Sequence, residues 1–233
     1  MKMKARNKIL LLALCMAALI AVSVLGTMAY LTSTDTVTNT FTVGKVAITL
    51  DEAKVNTDGK PVKVTGEGES ATETIVDNPS DATRVKANSY KLLPGHTYTK
   101  DPTVTVLANS EESYVRMAVT ATFDNALTDA LIAENIDEIF QGYNSAEWNR
   151  TSKTVDDAKK VITYVYDYKT TVSTGTDAQK LPALFTAIKI PGEWKNEQLA
   201  AVGNFKIDIV AEAIQKDGFD GAAAAWAAFN AQK

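Results

Sequence analysis

The chain has 233 residues, 45% of them hydrophobic and 22% charged. These are ordinary globular proportions, which exclude a disordered tail, a collagen-like rod or a coiled coil as the whole molecule. A single cysteine forbids an intrachain disulfide, one cysteine and one histidine leave almost no room for a Cys/His zinc site, and a net charge of −4 argues against general nucleic-acid binding.

The first segment reads as an address. Lys2, Lys4, Arg6 and Lys8 form a basic n-region, and no charge follows from Ile9 to Leu25. That apolar run is at the short limit for a membrane span and suits the h-region of a signal peptide. Thr27 and Ala29 place small residues at a signal-peptidase site, so cleavage is expected between Ala29 and Tyr30, with residues 1–29 removed. An uncleaved anchor is the competing reading. The small residues and the polar stretch that follows favour cleavage. The mature chain would then carry 20 basic residues against 28 acidic ones, and Cys15 would leave with the signal peptide. An exported protein of this kind is held by its core and its hydrogen bonds alone.

From Thr32 to Thr42 every even position is threonine. In an extended chain these side chains share one face, and Leu31, Val37 and Phe41 share the other. Threonine suits a strand because its branched Cβ fits a pleated surface. Val46, Ile48 and Leu50 continue as a second alternating strand. Residues 51–80 read as a hairpin region with a tight turn at Asp58-Gly59 and an acidic turn from Gly66 to Ser70; Val62/Val64 and Thr74–Val76 are its strands. Pro94-Gly95 marks the next turn, and Val104 and Val106 the next strand. The clearest strand follows, with Val115, Met117, Val119, Ala121 and Phe123 on one face. Asp124 or Asn125 can cap a helix from Ala126 to Phe140, carrying an apolar stripe and ended by Gly142. Strands return at Val161–Tyr168, Ala187–Ile190 and Phe205–Ile214, and Asp220 can cap a short terminal helix bearing Trp226 and Phe229. The pattern predicts a mainly β chain: one β-sandwich domain over residues 30–233 with a few inserted helices.

Three segments carry a family resemblance. The first runs from Leu25 to Asp51, through Leu-Gly-Thr-Met-Ala-Tyr-Leu-Thr and Asn-Thr-Phe-Thr-Val-Gly-Lys-Val-Ala-Ile-Thr-Leu-Asp. Another is Leu93-Pro94-Gly95 with Pro102–Val106 and Ser113–Met117. The last is Ile207–Gln215 with Asp217-Gly218 and Trp226. Together they resemble the TasA/camelysin family, exported proteins of Gram-positive bacteria whose signal peptides are served by a signal peptidase of the SipW type. Residues 142–204 carry no matching motif. The resemblance implies a jelly-roll sandwich and a secreted structural role as a homopolymer in biofilm-matrix fibres, with other matrix proteins as further partners. It also implies that the N-terminal strand of one subunit completes the sheet of its neighbour. Leu31, Val37 and Phe41 would then enter the acceptor groove. Pairing of that strand within its own subunit is the plainer alternative. A monomeric cell-surface adhesin or accessory matrix protein of the same fold is the runner-up function, and a camelysin-type metalloprotease the third.

Chemistry finds little purchase. A zinc protease places His-Glu-x-x-His on a helix, whereas His96 stands alone in a Pro-Gly turn. A Ser-His-Asp triad would need the same residue. No catalytic residue, cofactor or metal is therefore expected. Asn56-x-Asp58-Gly59 and Asp217-Gly218-x-Asp220-Gly221 resemble fragments of calcium loops but lack the spacing of an EF-hand, and read first as turns. Tyr164, Tyr166 and Tyr168 share one strand face, read as a packed face with hydroxyls at the rim rather than a glycan-stacking surface. Arg116 reads as a surface or sheet-edge ion pair, and Trp226 and Phe229 as pins for the terminal helix.

Overall fold

The computed structural model describes residues 44–91, 93–124, 136–194, 196 and 205–232. The expected cleavage site at Ala29/Tyr30, the threonine-rich strand with Leu31, Val37 and Phe41, and most of the expected helix from Ala126 lie outside the described residues. Residues 44–233 form one compact unit. Its strands, in chain order, are β1 (Ile48–Ala53), β2 (Val62–Thr65), β3 (Thr72–Ile75), β4 (Arg84–Val85), β5 (Thr97–Thr99), β6 (Thr103–Val106) and β7 (Ser113–Phe123), followed by β8 (Phe140–Gln141), β9 (Trp148–Asp156), β10 (Val161–Tyr168), β11 (Gln179–Lys180), β12 (Ala187–Lys189) and β13 (Phe205–Gln215). One α-helix, α1 (Ala222–Asn230), closes the described chain.

All pairings are antiparallel. One four-stranded sheet runs β11-β6-β1-β4 and a second β13-β7-β10-β9; β5-β12-β8 form a smaller sheet and β2-β3 a hairpin. The expected mainly β architecture is the observed one. Alternation along β7 explains the packing. Val115, Met117, Val119, Ala121 and Phe123 are each no more than 3% exposed. Met117 stands between Ala211 and Tyr166, and Val119 between Ile209 and Tyr164. The small Ala211 on β13 thus stands across Met117 from the large ring of Tyr166 on β10. Facing them across the core are Val104 and Val106 of β6, with Tyr98, Leu184, Phe185 and Ile188 filling the sides of the same cluster. Each such side chain contributes roughly 1.5–3 kcal/mol by leaving water.

The anticipated turns are where the sequence puts them. Gly59 has φ +75°, and a Cβ there would sit 2.3 Å from the Tyr98 ring, so only glycine fits beneath that buried tyrosine.

Three expectations are corrected, and one strand was not expected. Residues 136–139 form a 3-10 turn rather than the end of an α-helix, and Phe140–Gln141 are a strand. Ile139 is buried, and Phe140 pairs with Ile188 of β12, so core burial and sheet pairing override the helical spacing of the apolar residues. Asp220 does not cap α1: the N-cap is Gly221, whose carbonyl accepts from the Ala225 N–H at 3.1 Å. Strand β9 was not anticipated, because its run from Asn149 to Val155 is polar apart from Val155 and exposed throughout, with no alternation to betray it.

The third correction concerns the setting of Arg116: it forms the expected ion pair, on the outer face of the second sheet, but it is buried (8% exposed) and lies on an inner strand. It stands between Glu212 of β13 and Asp167 of β10. Its Nε donates to Glu212 Oε2 at 2.6 Å and an Nη to Asn230 Oδ1 at 2.6 Å, and its guanidinium lies 4.1 Å from the centre of the Trp226 ring. The helix α1 is laid over this charge row, so Trp226 and Phe229 do pin it, through a cation as well as through apolar contact.

Asp167 occupies the weak end of the row. Its Oδ1 is buried with no partner among the described residues. Burial pushes its carboxyl above the ordinary aspartate value of 3.8, with Arg116 pulling the other way. A raised carboxyl favours the folded state when protonated, so its contribution is present below the ordinary value and is lost as pH rises through the raised one. Asp167→Asn is therefore expected to raise the melting temperature by a few degrees at pH 7 and to leave it unchanged near pH 3. Equal effects at both pH values, measured by calorimetry, would refute the desolvation account.

Candidate functional site: a groove beside the β13 edge

A concavity of about 660 Å³ lies where β1 runs against β13. Leu50 of β1, Ile188 of β12 and Ile207 and Ile209 of β13 give it apolar surface; Lys86, Lys206 and Asp208 bring charge to its lining. Among the described residues β13 pairs with β7 only, so the strand borders the groove along its other edge. A sheet edge of this kind offers backbone N–H and C=O groups to a further strand. Side chains of β13 alternate, and Ile207, Ile209 and Ala211 pack against the core cluster. An extended segment laid beside β13 would repeat that period and turn every second side chain toward the apolar surface.

The wall opposite β13 is held by a charged network. Lys100 Nζ donates to Glu52 Oε2 at 2.5 Å, with both side chains 7% exposed. Asn88 Nδ2 donates to Glu52 Oε1 at 2.8 Å and to the Ala53 carbonyl at 2.9 Å. Arg84 bridges two carboxylates, with Nε to Asp51 Oδ1 at 2.8 Å and an Nη to Asp101 Oδ2 at 2.5 Å. Asp101 in turn accepts from the Ala53 N–H at 2.6 Å. These groups brace β1 and β4 and saturate each other. Tyr90, whose hydroxyl donates to the Thr99 carbonyl, is held well above the usual tyrosine range by burial and then by the negative charge of Glu52. The geometry stiffens a groove wall; it does not set up a nucleophile with its base.

The other sequence-derived candidates are dispersed. His96 is exposed in its turn, its ring 6.5 Å from that of Tyr98. Asn56 Oδ1 accepts from the Asp58 and Lys60 N–H groups, which makes an Asx turn. Among the described residues no three His, Cys, Asp or Glu side chains converge to hold a metal ion. Tyr164 is fully buried and Tyr166 5% exposed; the Tyr164 hydroxyl donates to Asp137 Oδ1 at 2.7 Å and that of Tyr168 to Glu147 Oε2 at 3.0 Å, so their rings pack and their hydroxyls reach the rim as expected. The Glu52–Lys100 and Arg84–Asp101 network was missed. Its only sequence signal is a charged pair, Lys100-Asp101, set between strand-like residues and Pro102.

Neither the family models, nor the curated proteins, nor the solved structures compared with this chain give a match.

Proposed function

We propose that this protein is a secreted structural subunit that polymerises into extracellular fibres, the N-terminal segment 30–42 of one copy adding as a strand to the groove beside β13 of the next. The observation that carries this reading is the eleven-residue strand β13, which has a strand partner on one side only among the described residues and a groove of mixed apolar and charged lining along it. Segment 30–42 is of matching length, alternates with the period of a strand, and places Leu31, Val37 and Phe41 on one face. Those three side chains would contribute roughly 1.5–3 kcal/mol each on burial, with main-chain pairing added. The contact is heterologous, so its repetition gives an open filament. The resemblance of three segments to TasA-type proteins supports the same reading and adds a jelly-roll topology, a SipW-type signal peptidase acting between Ala29 and Tyr30, and a place in a biofilm matrix.

The test compares the chain from Tyr30 with a form beginning at Val43, by electron microscopy and melting temperature. The shorter form is expected to fold with a melting temperature within a few degrees of the longer and to form no fibres. Phe41→Asp in the longer form is expected to weaken assembly, because the groove would have to desolvate a charge. Fibres from the shorter form would rule out this segment as the donor. Failure of the shorter form to fold would mean that the strand completes its own subunit.

A further inference from the structure

A second, smaller concavity of about 430 Å³ lies at the β9 side of the same sheet, remote in the strand order from β13. Its walls are aromatic and its rim polar: Phe140, Tyr143, Trp148 and Tyr166 meet Asn149 and Arg150 there.

The Tyr143 ring is the exposed member, at 38%. Its hydroxyl donates to the Trp148 carbonyl at 2.7 Å and accepts from the Arg150 N–H at 3.1 Å, both on β9. With the hydroxyl engaged, the ring is fixed in place while more than a third of the residue remains open to solvent. The Tyr166 ring stands 5.3 Å away at 52°, which makes the second wall of a shallow corner. Arg150 reaches this corner because β9 carries a bulge opposite Val165/Tyr166, which brings Arg150 opposite Tyr166. One Nη of Arg150 donates to Asp137 Oδ2 at 2.8 Å, so the guanidinium plane is held at the rim. The amide of Asn149 and the hydroxyl of Ser145, both exposed, have no side-chain hydrogen bond among the described residues.

We infer that this corner is a carbohydrate-binding site for a hexopyranose unit of an oligosaccharide. A pyranose has an apolar C–H face and an equatorial belt of hydroxyls, each both donor and acceptor. It needs one fixed aromatic face and, at its edge, groups able to donate and accept at once. Tyr143 supplies the first; Asn149, Ser145 and Arg150 supply the second. An apolar ligand would strand those polar groups, and a cation would meet Arg150 and Lys153, which both already pair with Asp137. The concavity has the size of small-ligand sites. The inference is independent of the fibre proposal, since no residue of the corner lies at the groove.

The experiment is calorimetric titration of the full chain with four tetrasaccharides, built from glucose, galactose, N-acetylglucosamine or galacturonic acid. At least one is expected to bind with a Kd below about 10 mM. Tyr143→Ala is expected to abolish that binding and Tyr143→Phe, which keeps the ring, to retain it. Because Tyr143 also anchors β9, Asn149→Ala is the decisive variant: its side chain has no hydrogen bond among the described residues, and the change is expected to weaken binding about fivefold with the melting temperature unchanged. Absence of binding by all four sugars, or an Asn149→Ala variant that binds like the parent, would overturn the assignment.

Discussion

Arg116→Met is expected to lower the melting temperature by about 10 °C, the loss of about 3–5 kcal/mol that follows when one partner of a buried ion pair is removed. The cost comes from what remains. Glu212, its side chain 8% exposed, keeps its charge without the donor at 2.6 Å. Asp167 loses the cation that partly offsets its burial. Asn230 and Trp226 lose the group that holds α1 to the sheet. The double variant Arg116→Met/Glu212→Leu is expected to recover part of the stability, because the ion pair is replaced by apolar groups of similar volume while Asp167 still lacks the cation that offset its burial. Denaturant titration of the single and double variants decides the matter. If the double variant is as unstable as the single, the loss arises from the stacking of Arg116 on Trp226 or from Asp167, and not from Glu212.

Trp148→Ala is expected to cost about 3–5 kcal/mol, the range for emptying an aromatic site in a close-packed core. The side chain is 0% exposed, its ring centre lies 5.0 Å from that of Tyr168, and its Nε1–H donates to the Pro182 carbonyl at 2.9 Å. It therefore ties β9 to the segment between β11 and β12 as well as filling volume. Trp148→Phe separates the two roles. It keeps most of the volume and loses the donor, and is expected to cost about 1–3 kcal/mol, the range for an unsatisfied buried group. Equal losses for Ala and Phe would mean that the hydrogen bond, and not the packing, is the main contribution of Trp148.

The strands that could be read from sequence are those with one wet face. β7, β10 and β13 alternate because their outer sides carry residues such as Thr120, Asp167 and Asp208 while their inner sides meet the core. β9 could not be read this way: it is an outer strand of its sheet, exposed on nearly every residue, and only Trp148 is buried. The two-residue strands β4, β8 and β11 are too short for any period to show, and exist because a neighbour offers an edge. Arg116 was misplaced for a different reason. Its position on the outer face was correctly read, but an outer face is exposed only if nothing covers it, and α1 arrives from more than a hundred residues downstream. The walls of the β13 groove are likewise assembled from β1, β12 and β13, distant segments whose meeting is a property of topology and not of any local spacing.

That same topology bears on when the chain can fold. The central strand β7 needs β13 beside it, from Ser113 against Gln215 to Phe123 against Phe205, and β13 comes after every other strand of the described residues. Until those residues exist, one edge of β7 is open and its apolar side chains lack Ile207, Ile209 and Ala211 to cover them. Closing so large a loop costs entropy before any contact repays it, which places folding in the millisecond-to-second range of β-rich domains. Synthesis, by contrast, delivers residues in order, and a partly made chain holds no complete core. The domain therefore commits to its native packing only once β13 has been made, and every strand synthesised before it waits on that one pairing.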